Sequence, residues 1–387
     1  VRGTSNVRSL QAARLFSATV RGNRVTLLHD GDACLPAMLT AIDAARREVL
    51  FEMYWFGSDR TGQQFAEALS DKARDGVRVC VVYDAVGSFD SDPRMFARMR
   101  DAGCEVHEYN PIAPWRRRFR LGLVNHRDHR KILVADQRTA FTGGVNACDH
   151  AAAVADGGRG WRDDMIRIEG AAALRFRDLF ARTWRELGGR ELPAVSDAGA
   201  PRSVSGSTVR VLDGDYRSAR AAIRRSYLEA IGRARSHVYL SNGYFVPDRD
   251  VRRALAHASH AGVDVRVLLP SVSDVLAVKY AGRRLYAWLM RHGIRLYEWQ
   301  GSVLHAKTAV IDDRWCTVGT YNMDHRSWRS NLEVNVMVED HAVATAMARR
   351  FRDDLACSVP VDPHTWSFRP LSERVLERFF FQFRKLL

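Results

Sequence analysis

The sequence predicts an α/β protein written twice, with a largely parallel sheet in each half, and three observations carry this reading. First, β-rich runs recur in matched pairs. Arg47–Phe56 parallels Ser236–Phe245, Gly76–Val82 parallels Gly262–Leu268, and Gly103–Tyr109 parallels Gly293–Trp299. Second, the first two runs of each half flank a helix-like stretch, Gln63–Arg74 and Val251–Ala261, and strand–helix–strand alternation is the α/β pattern. Third, Leu192–Thr208 is rich in Pro, Ala, Ser and Gly and has no periodicity, so it reads as a linker. The expected organisation is a first domain over 1–191, a linker over 192–208, a second domain over 209–370 and an amphipathic tail over 371–387. A chain of 387 residues can bury two such cores, and 46% hydrophobic with 27% charged residues argues against disorder.

Along the first half, the matched runs supply three strands before the repeat breaks. Gly103 to His129 spans 26 residues, whereas Gly293 to His305 spans 12. The extra segment, 111–124, combines four arginines with Trp115, Phe119, Leu121, Leu123 and Val124. Two fates are open for it: a basic-aromatic segment pressed into anionic headgroups, or a solvated loop whose aromatics pack on their own domain.

The next element of each half carries chemistry. Of 59 basic residues only five are lysine (Lys72, Lys131, Lys279, Lys307, Lys385), and two of these share one frame. His129-Arg-Lys131-Ile-Leu-Val-Ala-Asp136 and His305-Ala-Lys307-Thr-Ala-Val-Ile-Asp312 both read H-x-K-x4-D. An ammonium is a compact charge with three donors, suited to holding a tetrahedral phosphoryl group where a planar guanidinium would not substitute. The apolar residues that follow make each motif the start of a strand. Residues two apart then share a face, so His129 and Lys131 project together, as do His305 and Lys307. A second strand follows in each half and ends in Gly143-Gly144-Val-Asn146 or Gly319-Thr320-Tyr-Asn322, with each Asn 17 residues after its His. Glycine lets backbone approach an anion, and the Asn146 and Asn322 amides add neutral donors for phosphate.

Two such sets provide two imidazoles, two ammoniums and two amides. Phosphodiester exchange needs a nucleophile, a proton donor for the leaving oxygen and charge stabilisation, and this inventory meets all three without a metal or other cofactor. A nucleophilic imidazole also needs a partner at its other nitrogen. Glu333, in Asn331-Leu-Glu-Val-Asn335, and Asp163, in the corresponding place after the first motif, are the candidates.

The tail closes the second half. Leu371, Val375, Phe379, Phe383 and Leu386 or Leu387 fall at helical spacing beside Arg374, Arg378, Arg384 and Lys385. Docking on a bilayer and burial against a neighbouring domain or subunit are both open to it.

The net charge of +14 and pI near 9.9 point to an anionic partner, either acidic phospholipid or nucleic acid. Cys34, Cys80, Cys104, Cys148, Cys316 and Cys357 lack metal or disulfide spacing and read as reduced thiols of a cytosol-facing protein. No apolar run is long enough to span a bilayer. The chain opens on Val1, so the lack of a targeting segment carries little weight.

These residues resemble the phospholipase D superfamily, whose HxKxxxxD…GG/S-x-N motif occurs twice in single-chain members. Asn125-His-Arg-Asp-His-Arg-Lys-Ile, Thr317–Ser327, Asn331–Asn335 and Tyr244-Phe-Val-Pro-Asp248 are most similar to bacterial cardiolipin synthases of the branch without amino-terminal membrane helices. The resemblance implies two tandem α/β/α sandwiches with mixed, mostly parallel sheets and a shared active site. It implies condensation of two phosphatidylglycerol molecules into cardiolipin plus glycerol through a phosphohistidine. In that scheme His129 is the nucleophile and His305 the general acid and base. Asp136 and Asp312 complete the motifs and count with the catalytic set. Their place at the strand ends nevertheless suits turn backbone or nearby basic groups better than phosphate. The expected partner is an anionic phospholipid membrane, met peripherally on the cytoplasmic face of a bacterial inner membrane. Nucleic acid is the less favoured partner, because nuclease-type members are often single-motif dimers. Hydrolytic phospholipase D or phosphodiesterase activity is the alternative reading. Oligomeric state is not encoded in any motif.

Overall fold

The computed structural model describes residues 15–20, 22–116, 118–194, 208–215 and 222–387. The chain divides into two compact units between Val211 and Leu212. Most of the expected linker, residues 195–207, lies outside the described residues, as does Arg117 of the 111–124 insertion.

The first unit is built on one eight-stranded sheet. Its strands are β1 (Leu15–Val20), β2 (Asn23–His29), β3 (Glu48–Met53), β4 (Arg78–Asp84), β5 (Glu105–Tyr109), β6 (Lys131–Ala135), β7 (Thr139–Gly143) and β8 (Asp164–Glu169), in the order β1-β2-β8-β7-β6-β3-β4-β5. The second unit repeats the plan. Its strands are β9 (Thr208–Asp213), β10 (His237–Asn242), β11 (Asp264–Pro270), β12 (Arg295–Trp299), β13 (Lys307–Ile311), β14 (Trp315–Gly319), β15 (Val334–Glu339) and β16 (Ser358–Pro360). The order is β9-β15-β14-β13-β10-β11-β12-β16, with β9, the strand at which the units divide, on the edge.

Each sheet is mixed, but the expectation of mostly parallel pairing needs correction. In the first sheet β3–β4 and β4–β5 are parallel, while β6 pairs antiparallel with both β3 and β7. The second sheet matches this: β10–β11 and β11–β12 are parallel, and β13 runs antiparallel to β10 and β14. The reason lies in the connections. A parallel return needs a crossover, supplied by helices such as Arg60–Arg74 and Arg249–His260, whereas the motif strand turns straight back on itself.

That turn is closed by the motif aspartate. Asp136 and Gln137 have φ of +51° and +63°, and Asp312 and Asp313 have +54° and +50°. Two successive left-handed residues are the signature of a type I′ turn, and Asp tolerates that region better than most side chains. The Asp136 carboxylate accepts the backbone N–H groups of Arg46, Arg47 and Glu48 at 2.8, 2.7 and 3.0 Å. Asp312 accepts those of Arg235, Ser236 and His237 at 2.8, 2.7 and 2.9 Å. Each aspartate therefore ties its hairpin to the start of the neighbouring parallel strand.

Helices cover both faces of each sheet. In the first unit Val49, Phe51, Met53, Leu133 and Phe141 share one core with helices Asp30–Ala44, Arg60–Arg74 and Pro93–Asp101. The alternate residues Leu50, Ile132 and Val134 are buried on the other face, beneath helix Ala173–Glu186. In the second unit Val238, Leu240, Val265 and Val267 lie in the core, and helix His341–Ala356 packs across strands β10 and β12 to β16. All six cysteines are free thiols.

Candidate active site

In the first unit the chemistry collects where β3 ends and β6 begins. Met53 pairs with Lys131 across these strands, so Tyr54 and Trp55 leave the sheet beside the His-x-Lys motif. His129 and Lys131 are buried, with 7% and 0% of their surface exposed. Lys131 Nζ donates to the His129 carbonyl oxygen at 2.9 Å. The Tyr54 ring meets the His129 imidazole edge-on at 4.8 Å, and Lys131 Nζ sits 4.9 Å from the same ring centre. Asn146 joins this end of the sheet, because its side-chain oxygen accepts the Trp55 N–H at 3.2 Å. With the oxygen so engaged, the NH2 end is the one suited to an anion.

The second unit repeats this with other means. Asn242 pairs with Lys307, and His305 and Lys307 are 4% and 1% exposed. Lys307 Nζ donates to the His305 carbonyl oxygen. Tyr244 lies edge-on to His305 at 5.9 Å, with Lys307 Nζ 5.6 Å from its ring centre. By sequence alignment Tyr244 corresponds to Trp55, not Tyr54, so neighbouring positions supply the aromatic wall in the two halves. Asn322 is buried, and its side-chain oxygen has no hydrogen-bond donor among the described residues. In the second half it is Asn242 that receives a backbone N–H, that of Met323, at 3.2 Å.

The carboxylate candidates are both buried. Asp163 Oδ1 accepts the Asp164 N–H at 2.8 Å and presses on Gly144, where an added Cβ would come within 2.1 Å of that oxygen. Glu333 accepts Thr320 Oγ1 at 2.5 Å and Asn331 Nδ2 at 3.2 Å. Gly319 has the same need, since a Cβ there would lie 2.2 Å from the Asn335 side-chain oxygen. These two glycines thus admit the protein's own polar groups, a different purpose from the anion approach the sequence suggested. Asp136 and Asp312, counted with the catalytic set, are spent instead on backbone N–H groups at the far end of the motif strand.

Sequence reasoning missed what lies behind the first motif. Arg127, Asp128 and Arg130 flank His129 and are 1–2% exposed, and Glu52 and Asp84 are fully buried beside them. Arg127 Nη1 lies 3.5 Å from Asp84 Oδ1, and Asp84 Oδ2 accepts the Asp128 N–H at 2.8 Å. Arg130 Nη1 lies 3.6 Å from Glu52 and donates to Thr183 at 3.2 Å. Burial, reinforced by the Glu52 carboxylate, holds the Asp128 carboxyl well above the usual carboxylate range, and burial raises Asp84 too. Arg127 also donates to the carbonyls of Asn110, Leu123 and His126, pinning both ends of the 111–124 insertion. Within that insertion Trp115 and Leu121 are exposed, while Phe119, Leu123 and Val124 are half-buried. Phe119, Leu123 and Val124 thus pack partly on their own unit, and Trp115 and Leu121 do not. The equivalents of Asp128 and Arg130 in the second half are Leu304 and Ala306, both buried and apolar. The alternation of charged residues in Arg127-Asp-His-Arg130 was the available signal.

A grouping of Asp59, Cys148 and His150 has ligand-type atoms within 4.8 Å of one another. Its carboxylate caps helix Arg60–Arg74 through Gly62 and accepts the Asp149 N–H, and burial pushes the Cys148 thiol up to about 12. That chemistry suits a helix entrance better than a cation.

Comparison with known proteins bears on both units. The family described as cardiolipin synthase, PLD-like domain, matches residues 38–184 and 227–355. Cardiolipin synthase A of Yersinia pseudotuberculosis (serotype O:1b, strain IP 31758) is 33% identical over 374 residues, covering 95% of this chain and 76% of the relative. The protein of that name from Yersinia pestis is similar to the same extent. Among solved structures, phosphatidylserine synthase of Haemophilus influenzae Rd KW20 superposes with a TM-score of 0.71 at 13% identity, over 99% of this chain and all of that one. Polyphosphate kinase of Porphyromonas gingivalis gives 0.56 at 17% identity, over 86% of this chain and 50% of that one. At those identities the structural likeness speaks for the fold alone.

Proposed function

The chain belongs to the cardiolipin synthase family of phospholipase D-like proteins, and we propose that it is a phosphatidyltransferase that condenses two phosphatidylglycerol molecules into cardiolipin and glycerol. One observation supports this above the others: each half buries a His-x-Lys pair against a tyrosine at the end of its motif strand.

The chemistry follows from those groups. His129 attacks the phosphorus of the first phosphatidylglycerol, a P–N bond forms, and the P–O bond to the glycerol headgroup breaks. His305, protonated, gives its proton to the departing alkoxide, so glycerol leaves neutral. His305 then takes the proton from a headgroup hydroxyl of the second phosphatidylglycerol. That oxygen attacks phosphorus, the P–N bond breaks, and His129 is restored. Lys131 and Lys307, assisted by Asn146 and Asn322, offset charge on the non-bridging oxygens, and neither step needs a metal. Asp163 and Glu333 are assigned the task of holding the imidazoles in the reactive tautomer.

The working location is the surface of an anionic membrane, on the cytoplasmic face of a bacterial inner membrane. No helix among the described residues is long and apolar enough to cross a bilayer. Transfer over hydrolysis requires that a lipid hydroxyl reach the phosphohistidine before water does. Purified protein on vesicles containing labelled phosphatidylglycerol should yield cardiolipin and glycerol in equal amounts, and His129→Asn should yield neither. Phosphatidic acid as the sole lipid product would make the enzyme a hydrolytic phospholipase D. Degradation of single-stranded DNA, lost in His129→Asn, would move it to the nucleases.

A further inference from the structure

The helix Leu371–Gln382 has one face tied down and the opposite face bare. Glu377 on the inner face is fully buried and receives two hydrogen bonds from the Arg369 guanidinium, at 3.0 and 2.7 Å. Glu373, one turn earlier, accepts from Arg283 at 2.7 Å, and Phe380 and Phe381 pack on the second core. With that face fixed, helical periodicity sends Leu371, Val375 and Phe379 outward, and Phe383 and Leu386 extend the same row. They are 71%, 58%, 55%, 44% and 62% exposed.

Beside this row lies a groove of about 620 Å³, lined by Arg284, Arg291, Arg374, Arg378, Met290 and Val375. All four guanidiniums belong to exposed residues. Among the described residues no carboxylate lies within ion-pair distance of any of them, in contrast to the committed Arg283 and Arg369. Trp366, buried in the groove wall, has an indole N–H with no acceptor among the described residues.

Cations without counter-charges next to an apolar row narrow the choice of occupant. A water-soluble anion would satisfy the arginines and leave the row wet. An apolar protein face would cover the row and strand the arginines. A phospholipid of net negative charge satisfies both, with its phosphate among the guanidiniums and its chains along the row. We propose that this face docks the chain onto an anionic bilayer, and that the groove holds a lipid phosphate separate from the reacting one. The assignment goes beyond the reaction described above and does not depend on which phosphodiester is cut.

The test uses the full chain carrying His129→Asn, so that no turnover alters the lipid. Co-sedimentation is compared for phosphatidylcholine vesicles with and without phosphatidylglycerol, in the parent and in two variants. One is Arg374→Glu with Arg378→Glu, and the other Leu371→Ser with Phe379→Ser. Each should lower partitioning onto anionic vesicles by about tenfold or more. Near-UV circular dichroism should remain that of the parent, which separates a lost surface from a lost fold. Parent-level binding by either variant overturns the proposal, and so does equal binding of the parent to both vesicle types. If the variants instead dissolve a dimer seen by light scattering and leave vesicle binding unchanged, the face joins two copies of the chain and the proposal fails.

Discussion

The two half-sites present the same pair of groups on different foundations. Behind His129 and Lys131 lies a buried layer of charged residues formed by Glu52, Asp84, Arg127, Asp128 and Arg130. Behind His305 and Lys307 lie Leu304 and Ala306, with Ser241 where the first half has Glu52. The hydrogen bond from each lysine to its own histidine carbonyl survives this change of support. The geometry of the motif is thus set locally, by a strand start and a tight turn. The layer beneath is free to differ, and the charged version also anchors the 111–124 insertion through Arg127.

The largest effects should come from the motif itself. His129→Asn and His305→Asn should each lower transfer by a factor of about 10³ or more, and Lys131→Arg and Lys307→Arg by about 10². What breaks the symmetry is the covalent species. Alkaline quenching with short-chain phosphatidylglycerol, followed by peptide mass spectrometry, should find the phosphatidyl group on the His129 peptide. Its appearance on the His305 peptide would exchange the two roles.

The foundations should respond differently to loss. Arg130→Met leaves Glu52 and Asp128 uncompensated and should cost about 3–5 kcal/mol in urea melts. Leu304→Ala in the second half, a cavity in an apolar layer, should cost about 2–5 kcal/mol. Adding Glu52→Met to Arg130→Met should recover part of the first loss. No recovery would mean that the charged layer acts through something other than its pairing.

A smaller and more equal effect is expected at the turns. Asp136→Ala and Asp312→Ala each orphan three backbone N–H groups, and thermal melts should show a loss of about 1–3 kcal/mol in either half. Activity that collapses in both variants with unchanged melting would return the aspartates to the chemistry.

A last effect is a pH dependence traceable to one carboxyl of the second half. Burial lifts the Asp324 carboxyl to about 6, at the position where the first half has Cys148. A carboxyl raised on folding adds stability that is complete below its unfolded value near 4. That contribution fades as pH rises through the folded value. Melting temperatures of the parent should therefore fall from pH 4 to pH 7 relative to Asp324→Asn. Parallel profiles would show that Asp324 is ordinary.

Much of this was legible in the chain because repetition is a loud signal. The doubled His-x-Lys frame and the paired β-rich runs located the motif strands and the duplicated plan. What escaped was non-local. Tyr54 and Tyr244 sit one and two residues past the ends of β3 and β10, so no fixed spacing marks them as equivalent. Strand direction was misjudged because alternating helices suggested crossovers throughout, while the motif strand returns through a turn. Glu52 and Asp128 are 76 positions apart in the sequence, and only the pairing of β3 with β6 brings their segments together. The tail resisted decision for another reason: one face of its helix packs on the second core while the opposite face is exposed, so a single periodic pattern serves two surroundings.

The aspartate turns carry a consequence for how the fold protects itself from error. Side chains alternate along a strand, so a hairpin that slipped by one residue would turn Lys131 or Lys307 to the opposite face. Such a slip would preserve most of the apolar contacts of these all-buried strands and would be poorly policed by packing. Three N–H groups at the start of the neighbouring strand, all held by the one hairpin carboxylate, make the slipped form conspicuously worse. Asp136 and Asp312 proofread alignment, and they do so from the end of the strand farthest from the phosphorus.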